Sequence, residues 1–180
     1  MFLSRALQKL AEANGLQHLD YCSYFVKVHP DQGSRLFDEA TLARAFHPTG
    51  CHYGTLRRAY PIPSHELYRS VLLLRDPRDC LVSHYYSVRD SHTLNNRGNL
   101  EARREALRTD IDQWVLGKAS EYGQDFEQFH TRLVGKPGVL FLRYEEMVTA
   151  FPDFLRKIVA HTGLDQDQEA VARILEEADF

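Results

Sequence analysis

The chain has 180 residues, 43% of them hydrophobic, a length that suits one compact domain better than two. Its formal net charge of −3 at pH 7 argues against non-specific binding of nucleic acid, because such binding needs a marked basic excess. Any anion that the protein binds is therefore expected to be small and held by a local cluster of donors.

The cysteines and the apolar segments bear on the compartment. Cys22, Cys51 and Cys80 are odd in number, widely spaced and outside any CxxC pattern, which favours reduced thiols over a disulfide framework. No apolar run approaches the ~20 residues of a membrane span, and the first residues lack the layout of a secretory signal. The sequence predicts a cytoplasmic protein without a membrane span.

The first half of the chain alternates between helical and strand-like patterns. The predicted elements are a helix at 2–14, a strand at 20–28, a helix at 34–46 and a strand at 51–60. Asn14-Gly15 ends the first helix, and His47-Pro48 ends the second.

The second half of the chain alternates more clearly between strand-like and helical patterns. The continuous apolar run at 70–74 is typical of a strand covered by helices on both faces. Beyond it the pattern predicts a helix from Asp79, helices at 101–120 and 122–133, a strand at 139–144, and helices at 151–162 and 168–178. Apolar strands separated by helices indicate an α/β fold of three layers, α/β/α, around a central parallel sheet.

A candidate anion site follows the strand at 70–74. In doubly wound sheets, ligands bind at the carboxyl ends of the strands, where a turn meets the next helix. Arg75 lies just past the strand end, and Ser83 follows eight residues later on the helix. One tight turn and the first helical turn would bring the guanidinium and the hydroxyl to one anion. The alternative is that Arg75 pairs with Asp79 or another carboxylate and that Ser83 is an ordinary helix residue.

The segment from Arg75 through Asp76-Pro77-Arg78-Asp79 to Ser83 resembles the 3′-phosphate-binding motif of sulfotransferases that use 3′-phosphoadenosine 5′-phosphosulfate (PAPS). In that family an Arg at a strand end and a Ser eight residues later bind the phosphate, with a similar turn between them. The resemblance implies a sulfotransferase fold like that of the P-loop NTPases. It also implies transfer of a sulfuryl group from PAPS to a hydroxyl or amine acceptor, with Arg75 and Ser83 binding the co-substrate.

Two later segments are similar to the family as well. Residues 139–164 resemble its succession of a strand, a Tyr-Glu-Asp-Leu motif and a helix, and Tyr144 matches the Tyr that lies against the adenosine. Packing at a strand end would also account for Tyr144. Phe180 resembles the Phe that packs on the adenine, although Ala178 stands where the family usually has Thr or Ser.

Two motifs of the family do not occur in the sequence. In the family a Lys-x-Gly-Thr loop, which binds the phosphosulfate, precedes a helix similar to residues 2–7, and an Arg-Lys-Gly motif follows the segment that Phe180 resembles. We therefore expect residues 1–180 to be a single, partial sulfotransferase domain, truncated at both ends. We expect this chain alone to transfer sulfate very slowly or not at all.

The sequence lacks the usual general base of the family. In typical cytosolic members this base is a His in a Lys-Thr-His-Leu-Pro strand, and that motif does not occur here. His52 lies at about the right distance before Arg75 and is the candidate catalytic residue. Imidazole suits the role because its pKa lies near the working pH. A lone His is more often structural than catalytic, and Arg57 is an alternative contact for a substrate or phosphate.

Metals, acceptors and other functions complete the sequence-based expectations. The nine histidines form no zinc-type spacing, so no metal is expected. The expected acceptor is a small-molecule, carbohydrate or lipid hydroxyl. The alternatives are a nucleotide-kinase-like phosphotransferase, which needs a GxxxxGK[ST] loop, and a non-catalytic nucleotide-binding or scaffold remnant.

Five arginines are expected to form a solvated helix face, although an acidic acceptor would suit them: Arg89, Arg97, Arg103, Arg104 and Arg108.

Overall fold

A computed structural model describes residues 2–20, 39–56, 58–94, 97–165 and 167–178. The chain forms two compact units. Unit 1 consists of residues 1–73 and 132–180, and unit 2 consists of residues 74–131.

The described chain is a mixture of helices and short strands. In chain order the elements are α1 (Phe2–Ala13), β1 (Gln17–Leu19), α2 (Glu39–Ala45), β2 (Cys51–Tyr53), β3 (Ser70–Leu74), α3 (Pro77–Tyr86), α4 (Arg97–Arg108), α5 (Ile111–Leu133), β4 (Val139–Arg143), α6 (Tyr144–Thr149), α7 (Phe151–Thr162) and α8 (Gln168–Glu176). A 3₁₀ turn precedes β3, and a π-helical turn, Ser87–Ser91, continues α3. This content is compatible with an α/β fold.

The strands form two small sheets. In the first, β1 pairs in parallel with β2, and His18 lies opposite His52. In the second, β3 pairs with β4. Ser70 N donates to Gly138 O at 2.8 Å, and Nε2 of His161, in α7, lies 3.1 Å from the carbonyl oxygens of both Ser70 and Gly138. The imidazole therefore ties α7 to the beginning of this sheet.

Gly138 is required where the sheet begins. Its φ of +76° lies in the left-handed region, and a Cβ built on it would stand 2.5 Å from the carbonyl oxygen of Tyr68. Any side chain at this position would therefore push β4 away from the segment that leads into β3.

Each unit has its own apolar core. In α7 the buried residues recur at helical spacing and form one apolar face, which packs with residues of α1, β4 and α8. Leu42 and Phe46 form a smaller cluster in unit 1, with Tyr53 and Tyr68 against it. The buried residues of the unit 2 core are Tyr85, Val88, Ala106 and Trp114.

Several sequence predictions are confirmed by the described elements. The strand at 70–74 and the helix at 151–162 have the predicted bounds, and α1 ends before Asn14-Gly15, where Gly15 has a φ of +77°. The helix expected at 34–46 is confirmed over its described residues, Glu39–Ala45. The strand expected at 20–28 lies outside the described residues from position 21 onward.

Other predicted bounds are wrong, for local reasons. Of the strand expected at 51–60, only Cys51–Tyr53 is a strand among the described residues. The helical break lies at Thr109–Asp110 rather than near 121, because Asp110 Oδ1 accepts from Gln113 N at 3.0 Å and begins a new helix. The strand expected at 139–144 ends at Arg143, whose N–H donates to the Glu146 carboxylate at 3.1 Å.

Candidate functional site

The turn between β3 and α3, residues 75–76, is called the corner, and Asp76 determines its shape. Asp76 is the N-cap of α3 and accepts from Arg78 N at 2.8 Å, while Pro77 occupies the first helical turn. The Arg78 guanidinium also contacts the carboxylate at 2.6 Å. Hydrogen bonds from the Arg78 side chain and backbone lower the pKa of Asp76 to about 2. The turn therefore has a fixed, ionised cap directly after Arg75.

Arg75 lies at the carboxyl end of β3, as the sequence predicts. Its Nη2 atom is 3.4 Å from Oδ2 of Asp79, and the side chain is 36% exposed. This is the carboxylate pairing that the sequence left open as the alternative to an anion site. The distance is long for a charge-assisted hydrogen bond, whose usual length is about 2.7–2.9 Å. The guanidinium thus combines a loose ion pair with access to solvent.

Ser83 lies on α3, in the same unit as Arg75, and is exposed. Because α3 begins at Pro77, Ser83 is its seventh residue and belongs to the second helical turn, which corrects the expectation of the first turn. It stands about 9 Å along the helix axis from Pro77. Within the described part of the chain, its hydroxyl has no hydrogen-bond partner.

Tyr122 and Cys80 are two further residues of unit 2 that sequence reasoning missed. The Cys80 thiol lies close enough to the Tyr122 hydroxyl to affect its ionisation. Burial raises the pKa of Tyr122 well above its ordinary value, and the contact with Cys80 adds to the rise. The positive charge of Arg75 acts in the opposite direction, so the phenol on α5 lies within electrostatic reach of the guanidinium.

The arginines between residues 88 and 108 make contacts inside unit 2. Arg89 pairs with Asp90 at 3.0 Å, and Arg97 pairs with Glu101 at 2.7 Å. Arg103 donates to the carbonyl oxygens of Val88 and His92. Arg89 and Arg97 thus pair with nearby carboxylates, whereas the half-buried Arg103 joins α4 to the segment that follows α3.

His52 lies in the middle of β2 and has a histidine neighbour. The Nδ1 atoms of His52 and His18 are 3.0 Å apart, and the ring centroids are 5.1 Å apart at an interplanar angle of 31°. Burial, and to a lesser extent the neighbouring His18, lower the pKa of His52 to about 4, while Glu12 opposes the shift. His52 is therefore a neutral imidazole at pH 7.

The remaining candidate residues are distributed as follows. Tyr144 is the first residue of α6, and its half-buried ring packs against the unit 1 core. Phe180 and Arg57 lie outside the described residues. Across the described ranges, no group of three or more His, Cys, Asp or Glu side chains is arranged to hold a metal ion. None of the described helices is both long enough and apolar enough to cross a membrane.

A family model of the sulfotransferase domain matches residues 62–180, well over half of the chain. The chain belongs to the sulfotransferase domain family. Comparisons with curated proteins and with solved structures gave no match. The family assignment confirms the resemblance noted in the corner segment, and it supports an activity of the sulfotransferase type.

The sulfotransferase match covers only some of the candidate residues. Arg75, Ser83 and Tyr144 fall inside it, as do Tyr122 and Cys80. His52 and its neighbour His18 precede position 62 and fall outside it. The roles of the two histidines therefore depend on their own geometry and not on the family match.

Proposed function

We propose that the protein transfers a sulfuryl group from PAPS and that Arg75 and Ser83 bind the 3′-phosphate of this co-substrate. One observation carries the proposal. Arg75 stands at the end of β3, directly before a capped helix that exposes Ser83, inside a segment matched by the sulfotransferase family. Strand ends that lead into helices are the usual ligand positions of α/β folds.

The ion pair between Arg75 and Asp79 is weak enough to give way to a bound anion. Exposed ion pairs contribute only about 0–1 kcal/mol, so the 3.4 Å pair with Asp79 is a weak competitor. A phosphate monoester carries nearly two negative charges and three acceptor oxygens, and it can accept two parallel hydrogen bonds from Arg. The Ser83 hydroxyl supplies a further hydrogen-bond donor, which is uncharged and sits on a short side chain.

The rest of the nucleotide is assigned from the family resemblance. Tyr144 is proposed to lie against the adenosine, and Phe180 is proposed to pack on the adenine. The matched region includes residues of both unit 1 and unit 2, which supports the proposal that they belong to one sulfotransferase domain. A complete three-layer α/β/α arrangement is part of the same proposal.

His52 is proposed as the general base. The acceptor oxygen forms a bond to sulfur while the bond between sulfur and the bridging phosphate oxygen breaks, which yields a sulfate ester and adenosine 3′,5′-bisphosphate. The acceptor proton passes to His52, which is neutral and therefore able to take it. With a pKa of about 4, His52 is a weak base, so the proton would transfer late, when the new bond has made the hydroxyl acidic.

The test is calorimetry with adenosine 3′,5′-bisphosphate, the product that carries the 3′-phosphate. Arg75→Ala should weaken binding by about tenfold to a hundredfold, because a charged hydrogen bond contributes about 1.5–3 kcal/mol. Ser83→Ala should weaken it by about two- to tenfold, as expected for one neutral hydrogen bond. Arg97→Ala is the matched control, because it removes the same charge from an exposed site in unit 2.

Three results would contradict the proposal. Binding by Arg75→Ala that equals the wild type would exclude the phosphate contact. A folded wild-type chain that does not bind the bisphosphate would favour a scaffold. Tighter binding of ATP than of the bisphosphate would favour a kinase-like phosphotransferase.

A further inference from the structure

The pair formed by His18 and His52 has a defined proton arrangement. The parallel register of β1 and β2 sets the two residues opposite each other, and their Nδ1 atoms are 3.0 Å apart. Two Nδ1–H groups at this distance would collide, and two lone pairs would repel. A neutral pair therefore shares one proton, with one Nδ1 donating and the other accepting.

Only two arrangements satisfy this condition. In the first, His52 donates its Nδ1 hydrogen to His18, and the Nε2 atom of His52 carries a lone pair. In the second, His18 donates, and the Nε2 atom of His52 already carries hydrogen. A base needs a free lone pair, and the Nδ1 lone pair of the second arrangement is occupied by His18. Only the first arrangement leaves His52 able to accept a proton.

We infer that His18 is a positioning residue that accepts the Nδ1 hydrogen of His52 and so leaves the Nε2 atom of His52 unprotonated. This inference rests on the proposed role of His52 as the general base. The same hydrogen bond persists when His52 becomes an imidazolium, because only Nε2 gains a proton. His18 thus performs with a ring nitrogen the orienting role that a carboxylate performs in catalytic triads.

The surroundings of the pair leave space for the His18 ring and occupy the nearby Glu12 carboxylate. Gly54 leaves room for the His18 ring, since a Cβ at position 54 would stand 3.0 Å from Cε1 of His18. Glu12 on α1 is the carboxylate that acts on His52, and it is itself exposed and hydrogen-bonded to Gln8 at 2.9 Å. The one hydrogen-bonding contact described for the His52 ring is therefore the Nδ1 atom of His18.

The experiment is nuclear magnetic resonance of the ¹⁵N-labelled full chain near neutral pH. Long-range proton–nitrogen correlations distinguish a ring nitrogen that bears hydrogen from one that bears a lone pair. The expected result is hydrogen on Nδ1 of His52 and on Nε2 of His18. Hydrogen on Nε2 of wild-type His52 would overturn the inference directly, without any variant.

Two variants separate positioning from a merely structural role. His18→Leu removes the acceptor, so His52 should lose its single tautomer and populate the form with hydrogen on Nε2. His18→Asn places an amide oxygen near the former Nδ1 position and should restore the wild-type tautomer. An unchanged His52 tautomer in a folded His18→Leu chain would overturn the inference.

The outcome is independent of the nucleotide test. Loss of bisphosphate binding in wild-type protein would remove the proposed function and leave the His52 tautomer as measured. Conversely, a wrong tautomer in a chain that binds the bisphosphate normally would remove only the role of His18.

Discussion

Acid should destabilise the folded chain through His52. Its pKa is lowered from 6.5 to about 4 on folding, because the half-buried ring is costly to charge and lies against His18. Between these two values the unfolded chain binds a proton that the folded chain does not. The contribution of His52 to stability is therefore fully present above about pH 6.5 and is lost progressively as the pH falls towards 4.

The size of the effect follows from the shift. At about 1.4 kcal/mol per pKa unit, the whole window corresponds to about 3 kcal/mol, and about 2 kcal/mol of it falls between pH 7 and pH 5. Because the ring is only half-buried, screening by solvent reduces this figure, and we expect a measured loss of about 1–2 kcal/mol.

Urea denaturation at several pH values measures this loss. His52→Asn removes the titrating ring while keeping a short polar group beside His18. Between pH 7 and pH 5 the free energy of unfolding of this variant should therefore fall by about 1–2 kcal/mol less than the free energy of unfolding of the wild type. At pH values well above 7 the two curves should run parallel, which provides the internal control. Equal acid losses in the two proteins would refute a neutral, partly buried His52.

Two further predictions concern the corner and the second sheet. Asp79→Asn should strengthen binding of adenosine 3′,5′-bisphosphate by about two- to fivefold in calorimetry, because it removes a weak competitor for Arg75; weaker binding would instead mean that Asp79 orients the guanidinium. Gly138→Ala should lower the free energy of unfolding in urea by about 2–4 kcal/mol, because the added Cβ would collide with the Tyr68 carbonyl. Gly135→Ala is the control: Gly135 also has a positive φ but lies in open space, so this variant should lose only about 1–2 kcal/mol. Similar losses in the two alanine variants would contradict the collision.

The elements that the sequence predicted well are those with a strong local signal. The run Ser70–Leu74 is apolar throughout, and α7 has Pro152 in its first turn and Gly163 after its last. The boundary between α4 and α5 was missed because the cap of Asp110 is a single hydrogen bond within a long polar, helix-forming stretch. Local propensity there is similar on both sides of the break.

The candidate site was predictable in part. The position of Arg75 follows from the strand end, and Ser83 follows from the helix after it. Tyr122 comes within electrostatic reach of Arg75 only through tertiary packing, and His18 comes next to His52 only through strand register. The three-residue strand β1 is too short to show a periodic pattern, so the local sequence could not predict the histidine pair.

The discontinuity of unit 1 sets the order in which the chain can fold. Its two stretches are separated by all of unit 2, and the contact between His161 and Ser70 spans 91 positions. During synthesis β3 leaves the ribosome long before its partner strand, and the residues of unit 2 are complete before β4 exists. Closure of so long a loop is slow compared with helix formation. β3 therefore cannot pair with β4 until residues 139–143 have been synthesised.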